Sequence, residues 1–163
     1  MLPEINKIVY ATDLLEKGSK NAFKMAVAMA KAHRAQLYVL HVMDPVSPSV
    51  ERILRDSMKE GEYDKYQELG VEHFKDELMQ RIDDFCREGF ADIEGVYPGG
   101  YPIAVVEDRA NPDKAILKSA ENYGADLIVM GTRTHGGLGQ FVLGSTADKV
   151  VHHAKIPVMV YPL

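Results

Sequence analysis

The segment Gly131-Thr132-Arg133-Thr134-His135-Gly136-Gly137-Leu138-Gly139-Gln140-Phe141-Val142-Leu143-Gly144-Ser145-Thr146 carries five glycines between an apolar run and a helical pattern. Residues 126–130 read as a buried strand, and 146–154 place Ala147, Val150, Val151 and Ala154 on one helical face. The glycines therefore join the carboxyl end of a strand to the amino end of a helix. A helix start offers unpaired N–H groups and partial positive charge, and glycine admits an anion to the backbone without a Cβ in the way. Gly144, Ser145 and Thr146 fall where those donors point, an arrangement suited to phosphate. Tight turns and close helix packing use glycine too, so the loop alone leaves both readings open. Neither G-x-x-x-x-G-K-[ST] nor a G-x-G-x-x-G opening the first helix is present, so a nucleotide would be held by another geometry.

Other reactive residue types form no comparable constellation. Phosphoryl chemistry needs a positioned water, a base or activating metal, and charge stabilisation at the leaving group. The cradle is present, but no convincing base and no lysine of the P-loop kind accompany it, and no G-x-S-x-G marks a serine nucleophile. No catalytic residue is assigned; efficient turnover is not expected. His152 and His153 are adjacent, hence about 100° apart on a helix, and cannot share a metal as an i, i+4 pair can. His41, on an apolar strand, reads as a satisfied core or pocket-wall side chain. No metal site is expected.

Composition narrows the class. The 163 residues suit one domain spanning 1–163, with 46% apolar and 26% charged residues, as in ordinary globular proteins. A formal charge of −5 and a pI near 5.7 supply no footprint for nucleic acid or an anionic membrane. The single cysteine, Cys86, falls in register with Val71, Phe74, Leu78, Ile82 and Phe85, as a packing residue would. A lone cysteine suits a reducing compartment. Met1 to Lys7 shows no signal-peptide pattern, and no apolar run approaches the roughly 18 residues of a membrane span, so a cytoplasmic protein is expected.

The elements that position the loop follow from periodicity. Residues 5–11 form a strand; from Ser19, a suitable N-cap, Ala22, Met25, Ala26, Met29, Ala30 and His33 recur at helical spacing. Leu37 to Met43 is a second buried strand ended by Asp44-Pro45, completing a parallel β-α-β unit. An irregular helical insertion around 45–70 follows, with a short helix through Val50, Ile53, Leu54 and Ser57. A longer helix covers 66–87; Gly61 and Gly70 interrupt the pattern. After the turn cluster Pro98 to Pro102, residues 103–109 make a third strand, and Asn111-Pro112 opens a helix through Ala115, Ile116, Ser119, Ala120 and Tyr123 that Gly124 stops. Strands at 126–130 and 157–162 complete about five, mainly parallel, with helices on both faces: a doubly wound, Rossmann-like α/β domain. Ligands bind such sheets beyond the strands' carboxyl ends, where Asp13, Val42 and the glycine loop can line one crevice. A carboxylate at position 13 can accept from ribose hydroxyls, or equally cap the entry to the first helix.

With these landmarks the chain resembles the universal stress protein family over nearly its full length. The matching stretches are Tyr10-Ala11-Thr12-Asp13, Leu40-His41-Val42, Gly124-Ala125-Asp126-Leu127-Ile128-Val129-Met130-Gly131 and Ile156-Pro157-Val158-Met159-Val160. The nucleotide-binding branch has a glycine, two residues, a second glycine, nine residues, then glycine with Ser or Thr; Gly131, position 134 and Gly144-Ser145 fall at that spacing. The resemblance implies an adenine nucleotide, ATP first among them, with or without magnesium. Asp13, beside Ala11 and Thr12, would meet the adenosine; Val42 would meet adenine through its backbone. Gly131, Gly144, Ser145 and Thr146 would hold the phosphates, and Met130 at the strand end would belong to the same binding site.

Two departures bear on that implication. Thr134 replaces the second glycine, adding a Cβ and methyl where a phosphate approaches, while its hydroxyl can donate and Gly136 and Gly137 leave slack nearby. Ala110 stands where the family often has glycine, narrowing the ribose side by a methyl. Arg133 and His135 can add positive charge to the phosphates or remain solvated. The resemblance further implies a stress-response sensor or regulator, and a homodimer joined through the C-terminal strand 157–161, an edge of the kind that tends to be paired. Two alternatives accompany it: a non-nucleotide branch member acting through protein contacts, and a weak magnesium-dependent ATP hydrolase. The sequence specifies no protein partner.

Overall fold

The computed structural model describes residues 2–13, 18–43, 48–90, 102–107, 111–132 and 143–163. Among them, strands β1 (Lys7–Ala11), β2 (Gln36–Val42), β3 (Ile103–Glu107), β4 (Leu127–Thr132) and β5 (Val158–Pro162) form one parallel sheet in the order β3-β2-β1-β4-β5. Helices α1 (Ser19–His33), α2 (Pro48–Ser57), α3 (Glu62–Phe90), α4 (Pro112–Tyr123) and α5 (Ser145–His153) lie between the strands in sequence. This is the doubly wound α/β fold expected from the alternating pattern.

A parallel sheet covered on both faces requires apolar residues at successive strand positions. Ile8 to Ala11 are all buried, and they alternate between two cores. Ile8 and Tyr10 join Leu37, Val39 and Val129 under Phe23 and Val27 of α1 and Ile82 and Cys86 of α3. Val9 and Ala11 join Leu40, Val105, Ile128 and Met130 under Ile116 and Ala120 of α4 and Ala147 and Val150 of α5. At the amino end of the sheet, the Asp126 carboxylate accepts from the backbone N–H groups of Asn6 and Lys7 at 2.8 and 3.0 Å, fastening β4 to β1.

Several local expectations shift. The N-cap of α1 is Gly18, without a side-chain hydrogen bond at the cap, and Ser19 is the buried first helical residue. The helix turns Phe23 and Val27 inward, leaving Met25 and His33 exposed, because burial of the Phe23 ring, the largest apolar side chain of the helix, sets which face turns in. On α5, Ala147 and Val150 are buried, whereas Val151 is 42% exposed. The helix α3 runs unbroken through Gly70, while Gly61 precedes it at φ +82°. An interior glycine costs about 1 kcal/mol against alanine, less than the roughly 1.5–3 kcal/mol from burying one side chain such as Leu78 or Ile82. Cys86 packs in this core as its register implied, and burial pushes its thiol up to about 12. The side chains of Val71 and Phe74, and the turn residues Asp44, Pro45 and Pro98 to Tyr101, lie outside the described residues.

The glycine segment begins later than its composition suggests. Pairing with β5 carries β4 beyond Met130, matching Gly131 with Tyr161 and Thr132 with Pro162. Gly131 is therefore a strand residue rather than the first residue of a loop.

Candidate functional site

The chain passes from β1 outward to β2 and β3, then returns across β1 to build β4 and β5, so strand order reverses at the seam between β1 and β4. Such a reversal leaves a crevice beyond the carboxyl ends of the strands. A cavity of about 390 Å³ occupies that place.

The exit of β1 supplies Ala11, Thr12 and Asp13 to its wall. Thr12 is held on both sides: its N–H donates to the Leu40 carbonyl at 2.9 Å, and its carbonyl accepts from His41 Nδ1 at 2.9 Å. A carbonyl can only accept, which places the proton of that contact on Nδ1. His41 is thus satisfied, as its strand position implied, and although it does not line the cavity it steadies the peptide next to Asp13. Tyr10, also in the wall, donates its hydroxyl to the Ser19 carbonyl at 2.8 Å, tying the first turn of α1 to β1. Burial pushes the Tyr10 phenol up to about 12, against a lowering hydrogen bond with Thr12 and with a smaller raising effect from Asp13.

Leu40 and Val42 form the β2 side, and Pro112 and Ile116 bring in the start of α4. From β4 come Met130, Gly131 and Thr132, and from the start of α5 come Gly144, Ser145, Thr146 and Ala147. The first helical residues of α1, α4 and α5, which are Ser19, Pro112 and Ser145, all reach this cavity. Three helix amino ends at one place bias it towards negative charge. Asp13 is the one charged side chain among the described lining residues. The N–H groups of Ser145 and Thr146 belong to the first turn of α5, where no carbonyl of the same helix can accept them. The site therefore offers backbone donors at one side and a carboxylate acceptor at another.

The structure brings together Ala11, Thr12, Asp13, Val42, Met130, Gly131, Gly144, Ser145 and Thr146 around one cavity. Arg133, Thr134, His135, Gly136 and Gly137 of the glycine segment, and Ala110, lie outside the described residues. Sequence reasoning missed Thr132 and Leu163. Thr132 Oγ1 accepts the Gly144 N–H at 2.8 Å; a buried hydroxyl beside a strand-end glycine was the available sign. Leu163 donates its N–H to the Thr132 carbonyl at 3.1 Å and lies in the cavity wall. It also fills the spaces that a Cβ would need on both Gly18 and Gly131. Only those two distant glycines hinted at it.

Among the described residues no group of three or more His, Cys, Asp or Glu side chains is placed to hold a metal ion. His152 and His153 each donate Nδ1 to the carbonyl four residues back, those of Asp148 and Lys149. No helix among the described residues is long and apolar enough to cross a membrane.

Fold and cavity together define a doubly wound α/β protein with a crevice at its topological switch. The sequence model of the universal stress protein family matches residues 4–162, and the chain belongs to that family. A Thermus aquaticus universal stress protein is 34% identical over 145 residues, covering 86% of this chain and 88% of that protein. Among solved structures, a Methanocaldococcus jannaschii member superposes with a TM-score of 0.69 at 21% identity, covering 99% of this chain and 98% of the other. An Archaeoglobus fulgidus universal stress protein in complex with dAMP gives 0.56 at 18% identity, with 95% and 96% covered. A universal stress protein in complex with cAMP gives 0.58 at 19%, with 98% of each chain covered. At these identities the structural likeness concerns the fold.

Proposed function

We propose that this protein binds an adenine nucleotide, ATP first among them, in the cavity at the β1–β4 seam, and that it serves as a stress-response sensor or regulator rather than a dedicated enzyme. One observation carries the reading: residues from β1, β2, β4 and the start of α5, separated in sequence, converge on a single cavity that has helix N–H donors on one wall and Asp13 on another. Asp13 accepts from the ribose hydroxyls, the Val42 backbone meets the base, and the first turn of α5 receives the phosphates. The dAMP and cAMP complexes of two family members support this ligand class. Magnesium, where it takes part, would offset the negative charge of phosphates received by the first turn of α5. The protein works in the cytoplasm as a homodimer joined along β5, which forms one edge of the sheet.

The test is to denature purified protein, identify any released nucleotide, and titrate ATP with and without magnesium. Bound adenine nucleotide, or saturable binding at or below millimolar ATP, is the expected result; neither would overturn the reading. Thr134 favours a second reading, in which the glycine segment only packs α5 and the protein acts through protein contacts. Under that reading the wild-type protein ignores ATP, and Thr134→Gly is neutral or creates affinity.

A further inference from the structure

Thr132 stands between the glycines whose spacing marks the nucleotide-binding branch, and its side chain does work that the spacing does not describe. It is 2% exposed, a depth at which a hydroxyl is costly unless bonded. Its partner is the N–H of Gly144, the N-cap of α5, at 2.8 Å. The two lie twelve positions apart in sequence, so this contact closes the ends of the glycine segment onto each other. The Thr132 backbone is itself immobilised on the far side, where its carbonyl accepts from Leu163 N–H at 3.1 Å and β4 pairs with β5.

The anchored hydroxyl therefore fixes the first peptide of α5 against the rigid sheet. Orientation matters most at that point, because the donors that follow directly are the Ser145 and Thr146 N–H groups in the cavity wall. A hydrogen bond loses strength steeply as its angle departs from linear, so a swivel of the N-cap peptide would weaken both donors together. The distance is also selective: hydroxyl and N–H must meet across the whole intervening segment, which ties the length of that segment to the aim of the helix.

We infer that Thr132 is a positioning residue for the phosphate group of the ligand: its hydroxyl aims the first-turn donors of α5 and touches neither base nor sugar. The inference rests on the nucleotide-binding reading above. It differs from a general structural role in its selectivity, because loss of the hydroxyl weakens ligands that carry phosphate and spares the nucleoside.

The experiment compares Thr132→Val, which removes the acceptor while keeping the branched shape, with Thr132→Ser, which retains it. Affinities for adenosine, AMP and ATP are measured by calorimetry, and Gly144 amide exchange is followed by NMR. Thr132→Val is expected to weaken ATP and AMP by about tenfold, the equivalent of misplacing one hydrogen bond, while adenosine changes by less than about twofold. Gly144 amide protection should fall in the same variant, and Thr132→Ser should restore both readouts. Equal weakening of adenosine and ATP would overturn the inference, leaving a merely structural role; so would unchanged ATP affinity once Gly144 protection is lost. Wild-type protein that binds none of the three ligands would overturn the nucleotide reading itself, an outcome visible before any variant is made.

Discussion

The side chain of Leu163 occupies the space that a β-carbon on Gly131 would need, with its Cδ1 2.7 Å from that position. The same leucine crowds Gly18, where a β-carbon would come within 2.9 Å of the Leu163 Cα. Both glycines are thus explained by one residue of the cavity wall. The two contacts differ in kind, since a side chain can rotate away and a backbone atom paired to β4 cannot.

That difference predicts unequal costs. Gly18→Ala should destabilise the protein by about 1–3 kcal/mol, the usual range for overpacking. Gly131→Ala should cost less, below about 1 kcal/mol, as Leu163 turns aside. In a Leu163→Ala background, Gly131→Ala should become nearly neutral while Gly18→Ala still destabilises. Urea unfolding of the single and double variants measures this coupling. A Gly131→Ala penalty that persists without the leucine side chain would contradict the assigned contact.

Alkaline stability should depend on Tyr10. Its phenol is pushed from 10 to about 12 in the folded protein, chiefly by burial. The folded state then holds a proton that the unfolded chain releases, so this contribution is complete below pH 10 and is lost as pH rises through about 12. Cys86 behaves likewise from 9 to about 12. Tyr10→Phe should lower stability at neutral pH through the lost bond to Ser19, by about 1 kcal/mol, and flatten the decline between pH 10 and 12. Denaturant midpoints across that range provide the check; parallel curves for the two proteins would refute the assignment.

Asp126 offers a contrast at the opposite end of the sheet. Asp126→Ala frees the N–H groups of Asn6 and Lys7. Both residues are exposed, so water replaces much of the loss and the expected cost is about 1 kcal/mol. Asp126→Asn keeps an acceptor and should cost less. Nucleotide affinity, measured by titration on the folded variants, should stay unchanged, because the cavity lies beyond the other strand ends. A loss of affinity in either variant would show that the seam transmits strain along its length.

Much of this architecture was legible because local pattern and burial coincide. The runs at Ile8-Val9-Tyr10 and Leu127 to Met130 are apolar at successive positions since helices cover both faces of the sheet. Gly124 stops α4 at φ +62°, the conformation its residue type favours. That Asp13, Val42 and Ser145 line one crevice was legible because the topology gathers strand ends and helix starts at one edge. What escaped depends on partners distant in sequence. Gly131 belongs to β4 because Tyr161 pairs with it, and no local signal says so. The α1 face turned towards Phe23 and Val27 once the core had to be filled, and Ser19 lost its capping position to Gly18 as it was buried beneath the Tyr10 hydroxyl. The parts played by Thr132 and Leu163 depend on contacts across the fold.

The position of β1 at the centre of the sheet sets a timetable for assembly. It can pair with β2 as soon as the first β-α-β unit forms, but its other edge waits for β4, and the tie from Lys7 to Asp126 spans 119 residues. Contacts that distant close late, because the intervening chain must first be ordered. The crevice, built from Tyr10 at one extreme and Leu163 at the other, is then among the last features to mature. A ligand seated there would recognise finished molecules only, and its binding would draw newly made chains towards completion.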